Sequence, residues 1–461
     1  MTSAPGPAGD LQDRLARLLH AEIDGLRRLS GGASRETWSF NAKKADGTTQ
    51  QLILRRDPPG LPLPVGRTGG MPLEAILFET AARAGVPVPT IRASGDADDD
   101  VLETGYLVMD CVDGETIARK ILRDQPYAHA RSVLVSQLGE AAALLHAVAP
   151  ESVPGLVEMH PLQKYREVLD LLDHHSPTFE LAFRWLDAHR PKPIDPVIVH
   201  GDFRLGNVIV QPGGLAAVLD WELAHLGDPA EDLGWLSVRA WRFGSPHEAA
   251  GIGSVDDLLR AYHLANGRPE VDAARVHWWI VAGTLMWGVM CVTQANAHTS
   301  GAIQSVELAA IGRRIAEQEH DLLTLMGAPP ACRITIEAVT PTALASESGD
   351  DVGFPSARHL LDAVRRFLEH DVMPATDGRI AFHARVAQNV LAIVEREIAL
   401  RPQLEAAQQQ ASERLGYTNE AALAIAIRNG RLDGRQQEVL AALRSVVDVR
   451  VAIANPKHVA G

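Results

Sequence analysis

The sequence is poor in cysteine and has no excess of positive charge. It holds three cysteines in 461 residues, Cys111, Cys291 and Cys332, without paired spacing. This spacing excludes a disulfide framework and a cysteine-rich zinc site, and it predicts reduced thiols in a cytoplasmic protein. The formal net charge is −14. A nucleic-acid partner requires a basic face, so we expect none.

Membrane signals and a Walker loop are also missing. The first ten residues have neither a basic start nor an apolar core, so we expect no signal peptide. The apolar, tryptophan-rich stretch 278–292 is shorter than the roughly 20 residues of a membrane span. We therefore expect a buried helix there and no membrane span. The small-residue turn Gly31-Gly32-Ala33-Ser34 is not followed by Gly-Lys-Ser/Thr, which excludes a Walker loop.

Hydrophobic periodicity predicts a β-rich region at the N-terminal end. Leu11, Leu15, Leu19 and Ile23 recur at helical spacing, which predicts an opening amphipathic helix. Further strands and one helix follow from residue composition and turn signals. The predicted strands are 36–40, 51–55 and 106–109, and the predicted helix runs from Leu73 to Ala84.

Helical patterns dominate from Ile117 onward. A shift in composition predicts a linker before a last helical unit that carries no catalytic motif. That unit offers a surface for a protein partner or for self-association. The expected boundaries are 1–112 for the β-rich region, 113–327 for the helical region, 328–353 for the linker and 354–461 for the last helices.

The segment from His200 to Asn207 concentrates the chemistry. It follows a strand-like apolar run, and a second such run ends in Asp220. Phosphoryl transfer from a nucleotide needs a base for the acceptor hydroxyl, plus oxygen ligands for magnesium. Asp202 is the candidate base, and Asn207 and Asp220 are the candidate magnesium ligands. The alternative for Asp202 is a cap in a surface turn.

Cations and glycines near this segment suit phosphate binding. Arg204 can neutralise charge on the transferring group, or it can form a salt bridge with a neighbouring acid. The turn with Gly31, Gly32 and Ser34 can bring backbone N–H groups to nucleotide phosphates. Arg55 ends a predicted strand.

Arg55 and Glu74, called the clamp pair below, can hold the α- and β-phosphates. Arg56 and Glu79 compete for these roles, and an ordinary surface ion pair is the alternative. Glu222 either assists the metal through water or is an exposed carboxylate. Three residues either line a pocket for an anionic acceptor or only pack: Arg239, Trp241 and Arg242.

These motifs resemble the aminoglycoside phosphotransferase and choline kinase-like family, which is similar to protein kinases in fold. The resemblance runs from about Leu29 to about Met326. It rests on His200 to Asn207, Val218 to Glu222 and Gly227 to Gly234. It implies an α+β, two-lobed fold with a small β-rich N-lobe, a helical C-lobe and ATP in the cleft, followed by a smaller all-α domain.

The resemblance also implies roles for individual residues. Asp202 would be the catalytic base, with magnesium on Asn207 and Asp220. The turn 29–34 resembles the phosphate-covering loop, and Tyr106 to Val112 resembles the hinge. The backbone of two hinge residues would meet adenine, namely Asp110 and Val112. Asp232 resembles the aspartate that braces the catalytic loop.

The nearest subgroup comprises kinase-like domains that accompany, or are fused to, acyl-CoA dehydrogenases. The resemblance to it rests on Leu54 to Gly60 and His200 to Arg204. It implies an ATP- and magnesium-dependent kinase for a small hydroxylated acyl group, as such or as its CoA thioester. A silent nucleotide sensor or scaffold, and an aminoglycoside- or choline-type kinase, are the alternatives. Arg55 stands where lysine is usual, which leaves reduced turnover open.

Overall fold

The structure, a computed structural model, describes residues 7–29, 35–58, 70–98, 101–266, 270–332, 334 and 355–459. The chain forms two compact units. The first comprises Met1–Met159 and Lys192–Ile280, and the second comprises His160–Pro191 and Val281–Gly461. The described strands are β1 Glu22–Arg28, β2 Glu36–Lys43, β3 Thr49–Arg56, β4 Ile91–Gly95, β5 Tyr106–Asp110, β6 Val197–Val199, β7 Val208–Gln211, β8 Gly214–Val218 and β9 His225–Gly227.

The α-helices occur in both units and are numbered along the chain. Those up to the middle of the sequence are α1 Pro7–Leu19, α2 Gly70–Arg83, α3 Ala118–Arg123, α4 Ala128–His146, α5 Pro161–Leu171, α6 Pro177–Ala188, α7 Ala230–Ser237 and α8 Val255–Asn266. The remainder are α9 Ala273–Thr299, α10 Val306–Gly312, α11 Ile315–Leu325, α12 Ala357–Phe367, α13 Gly378–Leu415, α14 Glu420–Arg428 and α15 Gln436–Ala454.

The N-lobe of the first unit is an antiparallel sheet with the strand order β1-β2-β3-β5-β4. Alternating apolar side chains of its strands, such as Phe40, Leu52 and Leu54, form a core with Leu11 and Leu15 of α1. Removing this apolar surface from water holds the sheet and the helix together. The predicted strands in 36–56 and 106–109 are confirmed, as is the helix predicted from Leu73.

The predicted opening helix is wrong at its end. Helix α1 stops at Leu19, His20 adopts a positive φ of 49°, and Ile23 belongs to β1. Ile23 nevertheless packs in the same core as Leu11 and Leu15. A residue at helical spacing thus reaches the core from a strand, because burial sets the pattern and two backbone conformations can satisfy it.

Two short two-stranded sheets of the first unit position the chemistry of the C-lobe. Strand β6 pairs with β9, and β7 pairs with β8 in a hairpin. The β7–β8 hairpin joins the N-lobe where Val218 N donates to Pro87 O at 2.8 Å, and it joins the segment after the hinge where Glu115 N donates to Val210 O at 2.9 Å. The loop and hairpin therefore sit beside the sheet of the N-lobe.

The C-terminal helices of the second unit pack on α6 and α11. Helix α14 lies on α6, and α15 lies on both α11 and α13. A small apolar core that includes Ile393, Leu400 and Ile453 joins α13 to α15. Arg428 grips Asp170 through two hydrogen bonds of 2.5 and 2.7 Å. The described C-terminal helices therefore share one compact unit with α5, α6, α10 and α11.

The predicted fold class is confirmed: a β-rich N-lobe, a helical C-lobe and an all-α C-terminal region. The four domain boundaries stay a prediction, and most of 333–354 lies outside the described residues. Helix α9, which contains the stretch 278–292, is long and apolar enough to cross a membrane, but 83% of its apolar window is buried inside the protein. A core helix has the same properties, as the sequence predicts.

Candidate active site

One carboxylate holds the loop that follows β6 and begins at His200. Asp232 of α7 accepts hydrogen bonds from His200 N at 2.7 Å and from Gly201 N at 3.0 Å. Its other neighbour is the ring of His146, at 3.1 Å. Burial alone would raise the pKa of Asp232, but the hydrogen bond from His146 keeps that pKa below its ordinary value. The predicted bracing role of Asp232 agrees with these contacts.

Position 201 has no room for a side chain. Its φ is +77°, and a Cβ atom there would lie 2.3 Å from Leu223 O. His200 is fully buried, and its Nε2 lies 2.9 Å from Leu219 O. These contacts make His200 a structural part of the loop.

The carboxylate of Asp202 is oriented by three side chains. Its Oδ1 accepts from Trp235 Nε1 at 2.7 Å and from Arg204 Nε at 2.9 Å. Its Oδ2 accepts from Asn207 Nδ2 at 2.6 Å. The guanidinium of Arg204 lies over the ring of Trp241, 4.8 Å from its centre. Asp202 therefore has a fixed orientation while 15% of its side chain stays exposed.

Asn207 and Asp220 are brought together by the β7–β8 hairpin. Leu219 N donates to Asn207 O at 2.8 Å, so Asp220 follows directly beside Asn207. Asp220 has a φ of +67°, a strained value for a residue with a side chain, and such strain is concentrated at functional sites. The two predicted magnesium ligands therefore stand at the same end of one hairpin.

The clamp pair is looser than predicted. Arg55 Nη1 lies 3.8 Å from Glu74 Oε2, whereas Arg55 Nη2 donates to Asp220 Oδ1 at 2.6 Å. Both side chains are largely buried, which is against the surface ion pair. Burial would raise the pKa of Asp220, but Arg55 outweighs burial and lowers it. In this structure Arg55 is thus the partner of a candidate metal ligand.

Sequence reasoning missed Arg35 as a site residue. Its side chain is 2% exposed, hydrogen-bonds Glu74, and lies 3.2 Å from Asp57 and 3.5 Å from Glu222. The only available signal was its position directly after the small-residue turn. Glu222 therefore faces a buried arginine and is not the exposed carboxylate of one alternative.

Contacts of the described residues bear on three of the remaining candidates. Arg56 donates to Glu36 at 2.8 Å, and Glu79 is exposed, so neither replaces the clamp pair. Arg242 donates to Ser237 O at 2.7 Å, which favours packing for that residue. Trp235, which orients Asp202, was not singled out from the sequence.

The hinge and the phosphate turn differ in what the structure shows. Asp110 N donates to Thr90 O at 2.9 Å and Cys111 N donates to Gln51 O at 3.0 Å. These two amides are engaged, so neither of them can donate a hydrogen bond to a base. The predicted phosphate-binding residues Gly31, Gly32 and Ser34 lie outside the described residues.

The donor set fits a magnesium ion. Asn207 Nδ2 points at two oxygens of Asp202, the backbone O at 2.9 Å and Oδ2 at 2.6 Å, so only the amide nitrogen can stand there. The amide oxygen of Asn207 is therefore directed away from Asp202 and can face a hard cation. Asp220 adds a charged oxygen, and magnesium prefers such ligands together with water and phosphate oxygens.

Comparison with known proteins identifies the class. Residues 25–278, more than half of the chain, match the phosphotransferase enzyme family, and residues 374–458 match a domain of unknown function, DUF6285. The chain belongs to the phosphotransferase enzyme family, and its general function is that of a small-molecule phosphotransferase. The predicted family is therefore confirmed.

Two curated relatives are acyl-CoA dehydrogenase family members. Member 10 of Mus musculus is 28% identical over 290 residues, 58% of this chain and 26% of the relative. Member 11 of Homo sapiens is 27% identical over 273 residues, 52% of this chain and 34% of the relative. The chain thus spans about a quarter to a third of the length of these relatives.

A solved structure supports the fold. It is a protein of Ralstonia eutropha named as a candidate aminoglycoside phosphotransferase, with a TM-score of 0.52 and 20% identity. The match covers 67% of this chain and 95% of that one. At this identity the likeness shows the fold alone.

Proposed function

We propose that this chain is an ATP- and magnesium-dependent phosphotransferase that phosphorylates a hydroxyl group of a small metabolite. The observation that carries the proposal is the hydrogen-bonded set of Asp202 and Asn207 beside Asp220. The first acceptor to test is a hydroxylated acyl group as its CoA thioester, because the curated relatives are acyl-CoA dehydrogenase family members.

Each of these residues would have its own role in the reaction. Asp202 would accept the proton of the acceptor hydroxyl and orient its oxygen for in-line attack. Trp235 and Asn207 hold the Asp202 carboxylate, and Arg204 adds positive charge beside the reacting groups. A magnesium ion held by Asn207 and Asp220 would neutralise charge on the phosphate oxygens.

Nucleotide binding would use the N-lobe. The backbone of Asp110 and Val112 is proposed to meet adenine, and Gly31, Gly32 and Ser34 are proposed to cover the phosphates. Such an activity belongs in the cytoplasm, where ATP is available and cysteine thiols stay reduced.

The test is an acceptor screen. The protein is incubated with ATP, magnesium and a panel of hydroxyacyl-CoAs, free hydroxy acids, choline and aminoglycosides. ADP and the phosphorylated product are then measured by mass spectrometry. We expect ADP release that depends on one acceptor class and disappears in Asp202→Ala. ADP release unaffected by every acceptor would contradict the proposal.

A second candidate is a silent nucleotide sensor, with the C-terminal helices as its binding surface for a partner. The ion pair between Arg55 and Asp220, which competes with a metal ion, favours it. Calorimetry with ATP and magnesium separates the two candidates. A sensor binds the nucleotide with no turnover, whereas a kinase also consumes it when the acceptor is supplied.

A further inference from the structure

Arg35 is fixed by three carboxylates on the N-lobe side of the site. It hydrogen-bonds Glu74, and its Nε lies 3.2 Å from Asp57 and its Nη1 3.5 Å from Glu222. Its side chain is only 2% exposed. A buried guanidinium with this many ionic neighbours cannot leave without stranding several charges.

Arg55 has a different environment. Its side chain is 16% exposed, lies 3.8 Å from Glu74 and makes its short contact, 2.6 Å, with Asp220. Glu74 is therefore held mainly by Arg35. Arg55 is therefore not needed to hold Glu74, which is what the cation of a clamp pair would otherwise do.

Four carboxylates face the two guanidiniums. The four carboxylates, called the carboxylate cluster, are Asp57, Glu74, Asp220 and Glu222.

We propose that Arg35 is the permanent partner of Glu74, and that Arg55 is an exchangeable cation. Arg55 holds Asp220 in the absence of a divalent cation, and turns to the nucleotide phosphates when the cation takes Asp220. The inference rests on the proposed function of the same site. It also gives a reason for arginine at position 55, because a planar guanidinium can bind either a carboxylate or a phosphate in two-pronged fashion.

The first test measures Mn²⁺ binding without nucleotide, by the electron paramagnetic resonance signal of free Mn²⁺. In Arg55→Gln, Asp220 has lost its competitor, so the dissociation constant should fall about tenfold if the ion pair occupies Asp220 about nine-tenths of the time. Arg55→Lys should bind Mn²⁺ less tightly than Arg55→Gln. Asp220→Asn in the Arg55→Gln background should remove the gain.

Arg56→Gln is the matched control. It removes the same charge from the next residue of β3, but Arg56 is paired with Glu36 at 2.8 Å and not with Asp220. We expect wild-type Mn²⁺ affinity. The proposal is overturned if Arg55→Gln binds Mn²⁺ no more tightly than wild type, or if Arg56→Gln shows the same gain.

The second test assigns the partner of Glu74 by thermal unfolding of the metal-free protein. Glu74→Gln is made in the wild-type, Arg35→Gln and Arg55→Gln backgrounds. Glu74→Gln should lower Tm much less in the Arg35→Gln background than in the wild-type background. In the Arg55→Gln background it should lower Tm about as much as in the wild-type background. The opposite pattern overturns the proposal.

Both readouts are independent of turnover. If no acceptor supports ADP release, the proposed kinase function fails while the Mn²⁺ and Tm results still decide the roles of the arginines. If Arg35→Gln does not fold, Mn²⁺ binding by wild type, Arg55→Gln and Arg56→Gln still tests whether Arg55 competes with the cation for Asp220.

Discussion

The two compact units both bury ion pairs, but they use them for different ends. In the first unit Asp232 pins two backbone N–H groups of the loop that carries Asp202. In the second, Arg450 joins Glu319 of α11 to Glu420 of α14 and so connects helices. A charge beneath a loop fixes where reactive atoms stand, whereas a charge between helices fixes which helices meet. Loss of the first kind should therefore lower both activity and stability, whereas loss of the second kind should lower stability alone.

The largest effect should follow from Asp202→Ala. Loss of the base should lower kcat for the identified acceptor by about a thousandfold, within the usual contribution of general-base catalysis. Tm should change less than in Asp232→Ala, because the Asp202 carboxylate accepts from three side chains, whereas Asp232 holds two backbone N–H groups. Turnover close to wild type would show that the loop is not the reaction centre.

Asp232→Ala should damage both stability and activity. It removes the hydrogen-bond partner of His146 and of the backbone N–H groups of His200 and Gly201 in a buried site. This loss should lower the free energy of unfolding by about 3–5 kcal/mol. Urea unfolding measures the loss. An Asp232→Ala variant as stable as wild type would break the distinction between the units, since a loop brace would then carry no structural weight.

Arg450→Leu should destabilise the second unit by about 2–3 kcal/mol, because Glu319 is buried and loses its cation. ATP affinity, measured by calorimetry, should not change. Arg428→Leu is the control. The side chains of Arg428 and Asp170 are each 42% exposed, so their ion pair should contribute at most about 1 kcal/mol to the free energy of unfolding. Equal losses in the two variants would contradict the expected effect of burial.

Trp235→Phe should lower kcat about tenfold and leave the Michaelis constant for ATP unchanged. Phe keeps an aromatic ring next to Trp241 but cannot donate the hydrogen bond to Asp202, a bond to a charged group worth about 1.5 kcal/mol. Trp185→Phe, in α6 of the second unit and stacked on His189, is the control. A change in the Michaelis constant alone would indicate a binding role.

Stability should also depend on pH. Burial lowers the pKa of His225, but Glu231 outweighs burial and raises it to about 9 from its ordinary value of 6.5. Its stabilising contribution is therefore present below pH 6.5 and lost as pH rises through about 9, by at most about 1.4 kcal/mol per pH unit. His225→Gln should flatten this part of the stability curve in urea unfolding. An unchanged slope would contradict the assignment.

Much of the fold could be predicted because periodicity reports burial. The strands around Phe40 and Leu54 and the helix after Leu73 were found this way. Ile23 shows the limit, since its apolar side chain fits the spacing of a helix but its backbone is in a strand.

Candidate site residues could be proposed from the sequence where the chemistry demands particular side chains at short spacing. Asp202 and Asn207 lie in one loop, and the hydrogen bond from Leu219 N to Asn207 O brings Asp220 beside them, while their roles stay a prediction. Arg35 and Trp235 were not predictable, because their roles depend on contacts across 39 and 33 residues of sequence, to Glu74 and Asp202 respectively. Spacing carries no information about contacts of that range.

The packing of α14 on α6 and α15 on α11 has a consequence for producing the protein. A fragment ending near residue 327 would keep the loop that carries Asp202 but lack α14 and α15, and so would expose the surfaces of α6 and α11 that these two helices cover. Exposed apolar patches of this kind promote association. The region matched by the domain of unknown function should therefore behave as a built-in solubility partner, and kinase fragments made without it should aggregate.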